Sequence, residues 1–367
     1  MQYRAFGKTG KKISALGFGA MRLPKREDGT FDHDEGVRII RRGFELGINY
    51  IDTAPYYCDK ESEVIVGKAL KGWREKVMLS TKNPVENDSP ADFRKRLESS
   101  LKNLDVDTID FYHLWGISWE SFHKTIAPNL LDEIQQCKDE GLIGNISFSF
   151  HDKAENMKKI IDAGDFASVL CQYNLLDRSN EDMIHYAHEM GLGVVIMGPV
   201  GGGRLGVPSE AIQSLLPGGV ASSPEIALRF VLAHPGVSCA LSGMSAMNQV
   251  EQNAEILSNT APLSAEELKQ VEAAMAENKK RADLYCTGCN YCMPCPQGVG
   301  IPQIFEMMNY HRVYGLTDHA RGRYANIAKD GKFKDVSACV DCGLCEEQCP
   351  QKIEIRKQLR ETEKVLG

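Results

Sequence analysis

One pattern repeats eight times before about residue 285: a short apolar run followed by an amphipathic helical stretch. The strand candidates are 15–19, 50–53, 77–82, 109–115, 143–149, 169–173, 194–197 and 239–242. The helix candidates are 34–46, 63–70, 91–104, 130–140, 153–163, 180–190, 224–233 and 246–257. Eight strands alternating with eight helices is the count of a closed (β/α)8 barrel. The strand runs are mostly continuous apolar stretches, as parallel strands buried on both faces are. The competing architecture is an open doubly wound sheet. It gains little from Gly201-Gly202-Gly203, which is not a strand–GxGxxG–helix turn and reads as a loop able to fold over a ligand at the barrel mouth. Gly47, Gly141, Gly164 and Gly191 follow helix candidates, where a left-handed residue ends a helix.

The last quarter of the chain is punctuated differently. Eight of the 12 cysteines fall in two runs, and each run ends in Cys-Pro. The first holds Cys286, Cys289, Cys292 and Cys295, and the second Cys339, Cys342, Cys345 and Cys349. Three thiolates at successive CxxC spacing can close on three corners of one inorganic cube, with a fourth arriving from elsewhere, so the pattern points to two [4Fe–4S] clusters. Structural zinc pairs two CxxC knuckles across a spacer, which is not the spacing here. Cys58, Cys137, Cys171 and Cys239 are scattered singly, as reduced cysteines are, and nothing else suggests a disulfide framework. Ile301-Pro302 followed by Ile304, Phe305, Met308 and Tyr310 predicts a helix with Pro at its first position, so the cysteine region is expected to be helical. A chain of 367 residues accommodates this as a large unit, 1–280, and a small one, 281–367.

A net charge of −7 argues against nucleic acid or an anionic membrane as partner. Met1-Gln2-Tyr3-Arg4 opens directly into fold-like sequence, and no apolar run is long enough to span a bilayer. A cytoplasmic protein is expected.

Barrels of this kind carry chemistry at the C-terminal ends of their strands. Asp52 ends the second strand candidate, Lys82 ends the third, and Tyr57 lies in the loop after Asp52. Reducing a carbonyl by hydride transfer creates an alkoxide that needs a proton. A tyrosine supplies one if a cation lowers its pKa from about 10. Lys82 is placed to be that cation and Asp52 to orient it.

These residues lie within motifs that resemble the aldo-keto reductases over roughly residues 3–258. The resemblance is carried by Phe6-Gly7-Lys8-Thr9-Gly10, by Leu16-Gly17-Phe18-Gly19-Ala20-Met21-Arg22, and by Asp52-Thr53-Ala54 with Tyr57. It continues in Ser80-Thr81-Lys82, Asp107-Thr108-Ile109-Asp110, Gln172-Tyr173-Asn174 and Leu241-Ser242-Gly243-Met244. It implies a (β/α)8 barrel binding a nicotinamide cofactor without a Rossmann fold, with Asp52, Tyr57 and Lys82 as catalytic residues. It further implies cofactor contacts from Gly19, Met21, Ser149 and Gln172, and from Ser242, Gly243, Met244, Gln249 and Asn253 along the adenosine end.

Two departures stand out. The family's fourth catalytic residue, a His ending strand four, corresponds to Trp115. His113 points to the same face but ~6–7 Å deeper, at about 3.3 Å per residue. Either a bulge lifts His113 to the mouth, or Trp115 takes the place with only an indole N–H. Secondly, no Lys or Arg lies between Ser242 and Asn253 to meet a 2′-phosphate, which leans towards NAD(H) unless Arg204 or another loop cation reaches in. Cys58, where a Gly commonly follows the tyrosine, has no functional reading.

The tail resembles two-cluster ferredoxin domains, including the helical kind fused to redox enzymes. In these the fourth Cys of each run often ligates the other cluster. The resemblance therefore implies Cys286, Cys289, Cys292 and Cys349 on one cluster and Cys339, Cys342, Cys345 and Cys295 on the other. The order of parts looks like the cluster-bearing variant of the aldo-keto reductases.

Nicotinamides move two electrons and each cluster one, a mismatch a flavin normally bridges. A flavin fits a barrel but no motif supports it. Three readings follow. The barrel reduces a small carbonyl or oxidises an alcohol with NAD(P), with the clusters relaying electrons to a redox partner protein or serving structure. Alternatively the chain is an electron-transfer module linking a partner or an unseen flavin to the clusters. Thirdly, the barrel senses a cofactor without turning over. The intact Asp52, Tyr57 and Lys82 set favours the first.

Overall fold

The computed structural model describes residues 1–85, 89–206, 208–216, 218–283, 286, 290, 292–329, 331–349 and 353–367, without the side chains of 204 and 278–283. Strands β1 (Tyr3–Ala5) and β2 (Lys12–Ser14) form an antiparallel hairpin. The eight apolar runs become β3 (Leu16–Gly19), β4 (Tyr50–Asp52), β5 (Met78–Asn83), β6 (Ile109–Ile117), β7 (Ile143–Phe150), β8 (Ser168–Gln172), β9 (Gly193–Met197) and β10 (Cys239–Gly243). They close in chain order, β10 pairing in parallel with both β3 and β9. Helices follow the strands as the periodicity predicts, among them His33–Glu45, Ser62–Leu70, Pro90–Leu104 and Met247–Asn259.

The hairpin explains why the barrel is plugged at one end. Phe6, in the loop between β1 and β2, is fully buried against Tyr50 and Phe111, edge-on to Phe111 at 4.7 Å. A Cβ on Gly193 would lie 2.2 Å from the Phe6 ring, so the strand starts with glycine to admit it. Ile13, Leu170, Val195 and Cys239 complete this apolar layer. The polar chemistry is left to the opposite end.

Gly47, Gly141 and Gly191 take positive φ after their helices, as expected. Gly164 does not. Its backbone is extended (φ −127°, ψ 158°), and a Cβ there would meet the Phe166 ring at 2.2 Å. Close packing, not turn conformation, requires that glycine.

By contacts the chain forms two units, residues 1–203 with 227–264, and residues 204–226 with 265–367. The second is helical, as expected. Helix Ile301–Tyr314 buries Ile304, Phe305 and Met308 with Ile355 and Leu359 of the terminal helix Ile355–Leu366. Pro302 is the second residue of its helix, not the first, because Ile301 already follows the Gly300 cap. The segment 204–226 belongs to this unit, where Ser209 Oγ donates to the Tyr314 carbonyl at 2.6 Å. Among the described residues no helix is long and apolar enough to cross a membrane.

Candidate active site and cysteine cavity

β4 ends on Asp52 and pairs with β5, whose next inward positions are Ser80 and Lys82. Lys82 Nζ donates to Asp52 Oδ1 and, at 2.7 Å, to the Thr53 carbonyl. Ser80 Oγ holds the other carboxylate oxygen at 2.7 Å. Both ions are almost fully buried. Burial alone would lower the pKa of Lys82. The charge of Asp52, then that of Tyr57, and hydrogen bonds to both outweigh burial and raise it. The Tyr57 ring sits 4.7 Å from Nζ.

These groups open onto a cavity of about 340 Å3 at the C-terminal ends of the strands. Of the expected site residues, Asp52, Tyr57, Lys82, Trp115, Gly19, Met21, Ser149, Gln172, Gly243 and Gln249 line it. Ser242, Met244 and Asn253 do not. They are buried behind it, Asn253 Nδ2 donating to Ser242 Oγ at 3.3 Å.

His113 is not brought to the mouth. Its Cα pairs with that of Lys82, and it is sealed at 0% exposure with neither ring nitrogen hydrogen-bonded. Burial pushes its pKa down to about 4. A register shift between β6 and β7 does exist, but it falls after Leu114, at Trp115 and Gly116. It lifts Trp115 to the cavity, edge-on to Tyr57 with ring centroids 5.6 Å apart.

Among the lining residues not expected at the site are Ser245 and two that carry ionisable side chains. Arg22, after β3, borders the cavity beside Gly202, Gly203 and Gly243. It is a loop cation at the cavity; the side chain of Arg204 lies outside the described residues. His151, just past β7, also lines the cavity. No strand or helix periodicity reaches either residue; Arg22 lies in the motif that follows Leu16, but nothing there assigns it a role.

The wall fits a nicotinamide dinucleotide. Ser149 Oγ accepts the Gly116 N–H at 2.7 Å, leaving its own proton to donate. Gln172 presents an amide, packed so closely that a Cβ on Gly198 would lie 2.7 Å from Oε1. Ser245 and Gln249 are joined at 2.8 Å at the start of helix Met247–Asn259, whose first turn has no side-chain cap. A hydroxyl and an amide on one side, and an uncapped helix start with a cation on the other, are groups that could hold the two ends of such a cofactor.

After Tyr57 the backbone is strained. Cys58, Asp59 and Lys60 have φ of 53°, 53° and 76°, all left-handed and none glycine. The Cys58 thiol is buried and donates to the Ala20 carbonyl at 3.5 Å. Burial raises the thiol pKa of Cys58, Cys137, Cys171 and Cys239, and all four are free.

In the second unit, Cys292, Cys295, Cys339, Cys342 and Cys345 line one cavity of about 280 Å3. Cys295 from the first run thus shares a cavity with three cysteines of the second. At ~30 Å3 per water, this space suits a polynuclear group. Among the described residues, no three His, Cys, Asp or Glu side chains gather tightly enough to hold a single metal ion. Arg356 braces the second run, donating to Glu346 at 2.7 Å and to the Asp341 carbonyl at 3.2 Å. Asn309 holds the Cys286 carbonyl at 3.1 Å. Cys349 is buried among the helices, and Cys289 lies outside the described residues. A thiol-lined cavity with apolar backing fits an iron–sulfur cluster.

Comparison with known proteins agrees with both halves. Residues 15–276 match the aldo/keto reductase family and residues 285–354 a 4Fe-4S dicluster domain. The chain belongs to the aldo/keto reductase family and carries a C-terminal 4Fe-4S dicluster domain. It is 30% identical over 304 residues to an L-galactose dehydrogenase of Arabidopsis thaliana, covering 75% of this chain and 94% of that one. An aldo-keto reductase from Bacillus halodurans, in its holo form, superposes with a TM-score of 0.65 at 29% identity, covering 75% of this chain and 96% of its own. A Klebsiella pneumoniae aldo/keto reductase in complex with NADP and acetate gives 0.61 at 26% identity, covering 73% and 93%. The protein is therefore an oxidoreductase with an iron–sulfur domain.

Proposed function

We propose that the barrel, the part within 1–280, reduces a small carbonyl compound, or oxidises the corresponding alcohol, with NAD(P), while the part within 281–367 holds two [4Fe–4S] clusters. The observation that carries this reading is the convergence of Tyr57, Lys82 and Asp52 on a cavity whose walls also present Ser149 and Gln172.

The bound nicotinamide would supply and accept hydride. Ser149 and Gln172 orient its amide, and Arg22, Ser245 and Gln249 meet its phosphates. Tyr57 gives its proton to the carbonyl oxygen as charge develops there, and the buried Lys82 ammonium stabilises the tyrosinate that remains. Asp52 keeps Lys82 charged and fixed. Trp115 walls the cavity against Tyr57 and limits water access. The gap in cations between Ser242 and Asn253 still leans towards NAD(H), with Arg22 assigned to the pyrophosphate; a neighbour's bound NADP keeps both coenzymes in the test.

On the cluster side, Cys339, Cys342, Cys345 and Cys295 would hold one cluster and Cys286, Cys289, Cys292 and Cys349 the other. The clusters pass single electrons to a redox partner protein or brace the fold. The test is Tyr57→Phe in the full chain, assayed with aldehydes and both coenzymes. Turnover should vanish while coenzyme still binds. Unchanged turnover would sink the reading.

A further inference from the structure

A carbonyl undergoing hydride addition carries growing negative charge on oxygen, and one proton donor rarely suffices to hold it. Each preorganised hydrogen-bond donor aimed at such an oxygen is worth about 100–1,000-fold in rate. Tyr57 is one. The other groups around it are largely committed. Lys82 gives its hydrogens to Asp52 and Thr53 and lies against Tyr57. Ser149, which accepts from Gly116, gives its own proton to the nicotinamide amide in the proposed reading, and His113 is sealed out of the cavity.

His151 is different. β7 runs on to Phe150, so His151 stands at the lip of the cavity that Tyr57, Lys82 and Trp115 line. Its Cδ2 would be 3.5 Å from a Cβ on Gly116, so the ring lies over the glycine of the β6 bulge. That glycine has φ +61°, which favours a residue without a side chain. The ring nitrogens engage none of the described residues. His151 is exposed at this lip, and the desolvation it does undergo, then the positive charge of Lys82, lower its pKa, which favours the neutral imidazole, a ring with one N–H to give. The Trp115 indole packs against Tyr57 on the same wall.

Resting on the carbonyl-reduction reading, we propose that His151 donates the second hydrogen bond to the substrate's carbonyl oxygen, so that the donor set comes from the end of β7 instead of β6. In the step, hydride from the nicotinamide bonds to the carbonyl carbon and the C=O π pair moves onto oxygen. Oxygen takes the Tyr57 proton, and His151 keeps its own. His151 thereby selects for an aldehyde or ketone oxygen directed between Tyr57 and the β6 bulge.

The test compares wild type with His151→Ala, His151→Gln and Tyr57→Phe in the cluster-loaded full chain, using 4-nitrobenzaldehyde with NADH and NADPH. Coenzyme affinity is read separately from quenching of tryptophan fluorescence. His151→Ala should lower kcat/KM by about 100-fold, and His151→Gln, which keeps an N–H donor, should recover most of it. Coenzyme affinity and thermal unfolding should not move in either variant. If His151→Ala stays close to wild type while Tyr57→Phe is inactive, or if Gln restores nothing, the assignment of His151 is overturned. If Tyr57→Phe is as active as wild type, or wild type reduces no carbonyl with either coenzyme, the underlying reading fails and His151 falls with it.

Discussion

Lys82 and Asp52 form an ion pair that is almost fully buried, with Ser80 also donating to the carboxylate and the Thr53 carbonyl also accepting from the ammonium. Removing one member leaves a bare charge out of water, which costs about 3–5 kcal/mol. Asp52→Leu and Lys82→Met should each destabilise the barrel by that order. The double substitution should cost clearly less than their sum, because no unpaired charge remains. Urea unfolding followed by tryptophan fluorescence measures this, since Trp73, Trp115 and Trp119 are the only tryptophans and all lie in the barrel. Additive losses would mean that the two residues do not support each other.

His113 makes the barrel acid-sensitive. Its folded pKa of about 4 lies below the unfolded value, so its neutral form favours the fold above pH ~6.5, and that contribution is lost as pH falls from there to about 4. The difference is worth about 3 kcal/mol. Asp52 would favour a proton on the ring and Lys82 opposes it, so neither removes the effect of burial. His113→Met fills the site with an apolar side chain and deletes both titratable ring nitrogens. Its urea midpoint should fall less steeply between neutral and acid pH than that of wild type. An unchanged slope would place the acid sensitivity elsewhere.

The turn after Tyr57 carries strain that glycine would relieve. A left-handed conformation costs a residue with a side chain about 1–2 kcal/mol. Lys60 is exposed, and its side chain only overlies the Tyr56 ring at 5.9 Å. Lys60→Gly should therefore stabilise the protein by about 1 kcal/mol, read as a raised unfolding midpoint. A loss of stability would show that the Lys60 side chain holds the turn.

Much of this was legible beforehand. Parallel strands covered on both faces are continuous apolar runs, and every barrel strand lies within about two residues of its sequence reading. Asp52 and Lys82 were readable because they lie at the C-terminal ends of strands, Lys82 one residue before the end of β5. The place of His151, the role of Arg22 and the strain at Cys58, Asp59 and Lys60 were not, because loops carry no periodicity and their conformation depends on tertiary neighbours. The bulge after Leu114 decided between His113 and Trp115. A bulge is set by the pairing of two strands, which neither strand's residues announce.

Crossed ligation makes a non-additive prediction. Cys295→Ala should lose about half the iron of an anaerobically purified sample, as should Cys342→Ala, and the double variant should lose no more than either. Cys295→Ala combined with Cys286→Ala should lose nearly all of it. Iron and sulfide analysis with low-temperature electron paramagnetic resonance measures this. Additive losses from Cys295 and Cys342 would assign them to different clusters.

The central claim is that the barrel moves hydride directly between a nicotinamide and a carbonyl carbon. The most direct measurement supplies coenzyme deuterated on the transferred position, with an aldehyde, to the cluster-loaded protein, and weighs the alcohol product by mass spectrometry. The account predicts one deuterium on the carbinol carbon, formed in wild type and absent with Tyr57→Phe. Bleaching of the clusters with no deuterium in any product would contradict it and make the chain an electron-transfer module.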